Sequence, residues 1–193
     1  MGKCNNPLEL NAKALNNAAR ELIIGGIVAY PTEAVWGLGC DPFNQAAVHK
    51  ILQIKNRPES KGLILVAANM GQISALLTGL SDDQVQTLND SWPGPNTWVI
   101  EDSNEVYPAW VKGKHSSIAV RVTDHPLVIA LCEAFGGALV STSANPSGMP
   151  SALTQEQSVN YFGNTVDLYV SGVTGGNTSP SNICVLNSGK SLR

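Results

Sequence analysis

Charge is scarce in this chain: Asp, Glu, Lys and Arg make up 14% of its 193 residues and balance to −3. That excludes a globally basic nucleic-acid binder, while a local basic groove stays open, because the distribution of charge decides that question. Cysteine is equally sparse. Cys4, Cys40, Cys132 and Cys184 lie too far apart for a paired-ligand or redox motif and read as free thiols in a reducing compartment. His49, His115, His125 and the acidic residues show no metal-ligand spacing, so no protein-built metal site is expected. The opening Met-Gly-Lys-Cys-Asn-Asn-Pro lacks the apolar run of a signal peptide, and no apolar stretch approaches the length needed to span a bilayer. A cytoplasmic protein without membrane association is the expectation. There is also no internal repeat and no low-complexity block.

What is present is an apolar content of 43%, ordinary for a compact protein. A chain of this length buries about 70% of its unfolded surface without a disulfide or metal staple. One domain over residues 7–193 is expected, with a flexible N-terminus over residues 1–6. Helical spacing of Ala14, Leu15, Ala18, Ala19, Leu22 and Ile23 predicts a first helix over 11–24, stopped by Gly25-Gly26. Ile27 to Tyr30 reads as a strand and feeds Pro31 to Asp41, whose glycines and hydroxyl predict a loop. Asn44 caps a second helix through Ile54. Leu63 to Ala68 is a continuous apolar run, expected where a strand is covered on both faces. Shorter helices are predicted over 71–77 and 81–88, a tight turn at Trp92-Pro93-Gly94-Pro95, and strands over 97–100 and 116–122. Asp124-His125-Pro126 starts a helix to Phe135. Ala138 to Val140 then forms a strand delivering a loop from Ser141 to Gly148. A helix over 154–162, strands over 166–170 and 182–186, and a mobile loop over 171–181 complete the reading.

This alternation predicts an α/β fold: one mixed, twisted, open sheet with helices on its faces. Ligands in such sheets collect where loops converge beyond strand ends. One helix exit stands out. The helix ending near Ile54 breaks before Pro58, crowding Lys55, Arg57 and Lys61 into seven residues of an otherwise acidic chain. Such a cluster makes a local field suited to a multiply charged anion, or else favours the helix C-terminal dipole at a solvated end. The hydroxyls of Ser141, Thr142 and Ser143, with the Asn145 amide, can hold phosphate or carboxylate oxygens, or simply cap a turn.

Taken together these segments become specific. Lys55-Asn56-Arg57 followed by Ser143-Ala144-Asn145 reproduces the paired Lys-x-Arg and Ser-x-Asn signature of the YrdC-like family. Pro31-Thr32-Glu33, Trp92-Pro93-Gly94-Pro95 and Ala119-Val120-Arg121-Val122 fall in that family's order. The chain resembles the family's short, single-domain form from about Asn11 to Arg193. The resemblance implies a YrdC-like fold with a concave cationic groove. It also implies synthesis of L-threonylcarbamoyl-AMP and pyrophosphate from L-threonine, bicarbonate or CO2, and ATP, feeding modification of tRNA beside the anticodon. The implied partners downstream are the TsaB, TsaD and TsaE proteins, and Mg2+ would arrive with ATP.

By the same resemblance, Lys55, Arg57 and Lys61 face the triphosphate, and Ser117, Ser143, Asn145, Ser151 and Arg193 complete the ATP site. Threonine lies near Thr32, with Arg121 pairing its carboxylate and Ser141 and Ser181 adding hydroxyl contacts. Lys55, Arg57 and Arg121 are the expected catalytic residues, and alanine at any of them is expected to remove most turnover while leaving folding intact. Glu33 reads equally as a base, an orienting group or a structural hydrogen-bonding residue. The chain departs from longer relatives at Val66, Ala34, Trp36 and Asn96, and a single domain without their second one is the expectation. The rival expectation is an RNA-binding or ribosome-maturation module using the same groove without catalysis. The absence of basic runs and of an aromatic stacking ladder weighs against it.

Overall fold

The computed structural model describes residues 7–177, 179 and 181–192. Helix α1 (Pro7–Ile23) leads into the hairpin β1 (Val28–Pro31) and β2 (Trp36–Cys40). Helix α2 (Gln45–Ile54) starts on Asn44, whose Oδ1 accepts the Ala47 N–H at 3.0 Å. Then follow β3 (Ile64–Ala67), α3 (Ser74–Leu77), α4 (Asp82–Ser91), β4 (Asn96–Glu101), α5 (Ala109–Lys112) and β5 (Ser117–Val122). Helix α6 (Pro126–Phe135), β6 (Leu139–Ser143), α7 (Gln155–Phe162), β7 (Leu168–Tyr169) and β8 (Asn182–Val185) close the order. Ser81 and Gln84 form a reciprocal capping box at the start of α4, fixing that helix from both sides of its first turn.

Among the described residues the strands form one mixed eight-stranded sheet in the order β7-β1-β2-β6-β3-β5-β4-β8. Side chains alternate faces along a strand, and residues paired across strands share a face. On one face Leu65, Ala67, Val120, Val140 and Leu38 pack with α2 residues Val48 and Ile51 in the larger core. On the other face Val28, Tyr30, Val66 and Leu139 pack beneath α1 and α6, against Leu22, Val128 and Leu131. This double covering explains the unbroken apolar run at β3. Each such fully buried leucine or valine contributes about 1.5–3 kcal/mol relative to exposure.

The α1–α6 layer covers only part of its face. Gly39 pairs with Ser141, Ser141 with Ile64, Ile64 with Ala119, and Ala119 with Val99, so these five form one row across the sheet. Val66 pairs with Arg121 on the same face. Ser141, Ile64, Ala119, Val99 and Arg121 of this set floor the cavity described below.

Two expectations need correction. Trp36–Cys40, expected within a loop, is a strand, because Trp36, Leu38 and Cys40 are core residues while Gly37 and Gly39 face crowded neighbours. Ser141 to Ser143, expected beyond a strand's end, belong to β6, paired to Gly39, Leu38 and Gly37 of β2. The remaining aromatics pack: Trp98 Nε1 donates to Ser91 Oγ at 2.8 Å and Trp110 Nε1 to Pro42 O at 3.1 Å. Among the described residues no helix is long and apolar enough to cross a membrane.

Candidate active site

A cavity of about 430 Å³ opens over the uncovered part of the sheet. Its floor comes from β6, β3, β5 and β4, and its walls from the β1–β2 turn, the segment after α2, the end of α5 and Asn177, Ser179 and Ser181 of the strap before β8. Thr32, Arg121, Ser141 and Ser181, expected around threonine, all line it. So do Arg57, Lys61, Ser117, Ser143 and Ser151 from the expected ATP set. Lys55 and Asn145 do not line the cavity, and Arg193 lies outside the described residues.

The hydroxyls are held in place. Thr32 Oγ1 donates to Val35 O at 2.7 Å, closing the β1–β2 turn. The buried Tyr30 hydroxyl donates to Ser141 Oγ at 3.1 Å, and Ser181 Oγ sits 2.8 Å from Thr97 Oγ1. Burial pushes the Tyr30 phenol well above its ordinary value, so it remains a neutral donor.

Lys55 is buried, and its ammonium donates to the carbonyl of Ser143, to Asn145 O at 2.7 Å and to Asn145 Oδ1 at 3.4 Å. Ser143 Oγ donates to the same Oδ1 at 2.6 Å, while Asn145 Nδ2 donates to Met149 O at 2.6 Å. The Ser147 N–H returns to Lys55 O at 2.8 Å. Lys-x-Arg and Ser-x-Asn are thus one interlocked unit, with lysine as the brace of the serine loop. Burial, and then the neighbouring Arg57, lower the Lys55 amine to about 8. Arg57 donates through Nη2 to Gly62 O at 2.8 Å and still reaches the cavity.

Arg121 Nη1 lies 2.6 Å from Glu33 Oε2, both side chains nearly buried. Burial alone would raise the Glu33 carboxyl, but the Arg121 charge and the Thr123 hydroxyl together hold it below the usual carboxylate range. A carboxylate engaged in this way is a poor proton acceptor.

The sequence reading did not assign Lys112, His115, Asn177 or Ser179, which also line the cavity. Lys112 Nζ pairs with Asp102 Oδ2 at 3.0 Å, and that buried carboxylate also accepts the Val106 and Tyr107 amides at 2.8 and 3.0 Å. The short cluster Lys112-Gly113-Lys114-His115 is the signal that could have found Lys112 and His115. Among its described residues the strap over 171–181 has no regular structure, as expected of a loop. Its backbone is nevertheless tied down, Gly175 N–H donating to Thr32 O at 3.0 Å and Asn177 N–H to Glu33 O at 2.9 Å.

The arrangement can hold anions at fixed positions and stabilise charge that develops between them. The cavity's one carboxylate among the described residues, Glu33, is already engaged. A divalent ion there would take its ligands mainly from a bound polyphosphate and water.

Comparison with known proteins places this site in context. The Sua5/YciO/YrdC family model, described as telomere recombination, matches residues 21–193. A threonylcarbamoyl-AMP synthase of Saccharophagus degradans is 54% identical over 167 residues, covering 86% of this chain and 87% of its own. The protein of the same name from Pseudomonas aeruginosa is 51% identical over 176 residues, covering 91% of this chain and 94% of its own. Among solved structures, P. abyssi Sua5 complexed with L-threonine matches with a TM-score of 0.86 at 29% identity, over 92% of this chain. The match covers 52% of Sua5, so this chain spans about half the length of that protein. E. coli YciO has the same fold, with a TM-score of 0.78 at 24% identity, covering 90% of this chain and 84% of its own.

Proposed function

The chain belongs to the Sua5/YciO/YrdC family, and from that membership we propose that it joins L-threonine, bicarbonate or CO2, and ATP into L-threonylcarbamoyl-AMP, releasing pyrophosphate. Relatives about half identical over most of the chain carry the name of that synthase. The observation that carries the reading to the residues is the shared cavity. It brings Thr32, Arg121, Ser141 and Ser181 together with Arg57, Lys61, Ser117 and Ser143 in one space. A two-substrate adenylation needs an amino acid and a triphosphate held side by side in this manner.

The reaction is a nucleotidyl transfer. The threonine amine adds to CO2 and gives up a proton to water, and the resulting carbamate oxygen attacks the α-phosphorus of ATP, expelling pyrophosphate. Arg121 pairs the threonine carboxylate through donors left by its contact with Glu33, and Thr32, Ser141 and Ser181 orient the amino acid. Arg57 and Lys61 meet the triphosphate, with Ser117, Ser143 and Ser151 on the nucleotide. Lys55 acts through Ser143 and Asn145 by fixing the end of β6 to the turn that follows it. Mg2+ arriving with ATP would be held by phosphate oxygens and water and would offset phosphate charge. No covalent nucleophile is required, since positioning and charge stabilisation supply the acceleration. The product passes to threonylcarbamoyladenosine formation in tRNA, with TsaB, TsaD and TsaE as the partners completing transfer.

An RNA-binding module without catalysis is not favoured. The test is pyrophosphate release from ATP and bicarbonate with and without L-threonine, followed by mass detection of threonylcarbamoyl-AMP. Release that depends on threonine and yields the adduct is the expected result. Folded protein that binds RNA yet releases no pyrophosphate in response to threonine would overturn it.

A further inference from the structure

Glu33 remains without a function once the substrates are assigned, yet each of its carboxylate oxygens lies against a named partner. Its Oε1 accepts the Thr123 hydroxyl at 2.5 Å, and its Oε2 meets Arg121 Nη1 at 2.6 Å. Thr123 Oγ1 in turn accepts the His125 N–H at 3.1 Å, so the carboxylate is fixed to the start of α6. With Oε1 hydrogen-bonded and Oε2 ion-paired to Arg121, the carboxylate is held ionised and is a poor acceptor for a proton from threonine's amine. The backbone of the same residue carries a second load. Glu33 O accepts Asn177 N–H at 2.9 Å, Thr32 O accepts Gly175 N–H at 3.0 Å, and His125 Nε2 donates to Val173 O at 3.1 Å. A Cβ built on Gly175 would lie 3.1 Å from Glu33 Cα, so the strap rests directly on this residue.

Building on the threonine site proposed above, we infer that Glu33 is a positioning residue that fixes the Arg121 guanidinium and the strap over 173–177 in one arrangement, making threonine capture depend on it. A long arginine side chain has several rotatable bonds, and ordering it costs conformational entropy. Held at Nη1 before substrate arrives, Arg121 presents its other donors to a carboxylate with much of that ordering already done. The strap brings Asn177, Ser179 and Ser181 to the cavity wall. Movement at Glu33 therefore disturbs the arginine and that wall together. The nucleotide contacts at Arg57 and Lys61 lie on a different segment.

The test compares wild type with Glu33→Gln, Thr123→Val and Thr123→Ser. Threonine binding by calorimetry and threonine-dependent pyrophosphate release by the wild type come first. Failure of both overturns synthase chemistry itself and Glu33's place in it. With the wild type active, Glu33→Gln is expected to raise the KM for threonine about tenfold or more, with the KM for ATP within about twofold. Hydrogen exchange at the Gly175 and Asn177 amides should quicken in the same variant. Thr123→Val should move both readouts the same way by less, and Thr123→Ser, which keeps the hydroxyl, should restore them. An unchanged threonine KM in Glu33→Gln, equal increases for both substrates, or unaltered exchange at 175 and 177 would each overturn the positioning role. Should Glu33→Gln not fold, the Thr123→Val and Thr123→Ser pair decides by the same readouts.

Discussion

The Lys55 ammonium lies 2.7 Å from Asn145 O, and this contact joins two segments separated by ninety positions in sequence. It makes Lys55 an internal brace, so its removal has two consequences where the sequence reading expected one. Lys55→Met leaves the carbonyls of Ser143 and Asn145 without their buried donor, at a cost of about 1–3 kcal/mol in stability. Loosening the loop should also lower kcat by about a hundredfold or more. Urea denaturation checks the first effect and pyrophosphate release the second. A variant as stable as wild type would show that the brace contributes nothing.

The same burial gives Lys55 a pH signature. Its amine titrates at about 8 in the folded protein, against 10.5 for an ordinary lysine. Between those values the unfolded chain binds more protons than the folded one, so stability attributable to Lys55 rises as pH climbs through that window. Below about pH 8 both states are protonated and the contribution is flat. NMR of lysine side chains labelled at Cε should therefore show one amine inflecting near 8, absent in Lys55→Met. If every lysine titrates near its ordinary value, the burial has been overstated.

Arg57 and Lys61 should separate by experiment although they sit close in sequence. Lys61 is exposed at the cavity edge, whereas Arg57 is half-buried and holds Gly62 O at 2.8 Å. Lys61→Ala is expected to raise the KM for ATP several-fold, more at low salt than at high, with stability within about 0.5 kcal/mol. Arg57→Ala should lose both activity and about 1–3 kcal/mol, because the buried carbonyl loses a charged donor. Equal melting temperatures for the two variants would refute the distinction.

The strands, helices and caps with strong local signals were legible in the chain. Asn44 before α2, Pro126 in the first turn of α6 and the apolar run at β3 each encode structure within a few residues. The cavity was legible only as a set of motifs, because its floor is assembled from four strands, β6, β3, β5 and β4, by pairing that no local pattern specifies. Lys112 escaped notice for that reason: Leu63 N–H donates to Val111 O at 2.8 Å, seating α5 beside the Lys61 segment from about fifty residues away. The engagement of Lys55 by the carbonyls of Ser143 and Asn145 depends on burial and could not be read from spacing.

Glycine supplied the clearest misreading, and it yields a sharp test of the fold. Gly37 and Gly39 suggested a loop, yet both lie in β2 between core residues. A Cβ at Gly39 would fall 2.8 Å from the Tyr30 ring and 2.8 Å from Val140 O. Tyr30 is fully buried and Val140 O belongs to the neighbouring strand, so neither can yield without parting β2 from β6 or displacing the ring. Gly39→Ala should therefore cost about 1–3 kcal/mol through overpacking. Displacing Tyr30 also breaks its 3.1 Å hydrogen bond to Ser141 Oγ, so threonine KM should rise even where the variant is fully folded. Gly137→Ala is the control: its Cβ would meet only Phe135, at 3.7 Å, and stability should change by less than about 0.5 kcal/mol. If the two variants melt together, Gly39 is not there for close packing, and the sequence's suggestion of a loop gains ground.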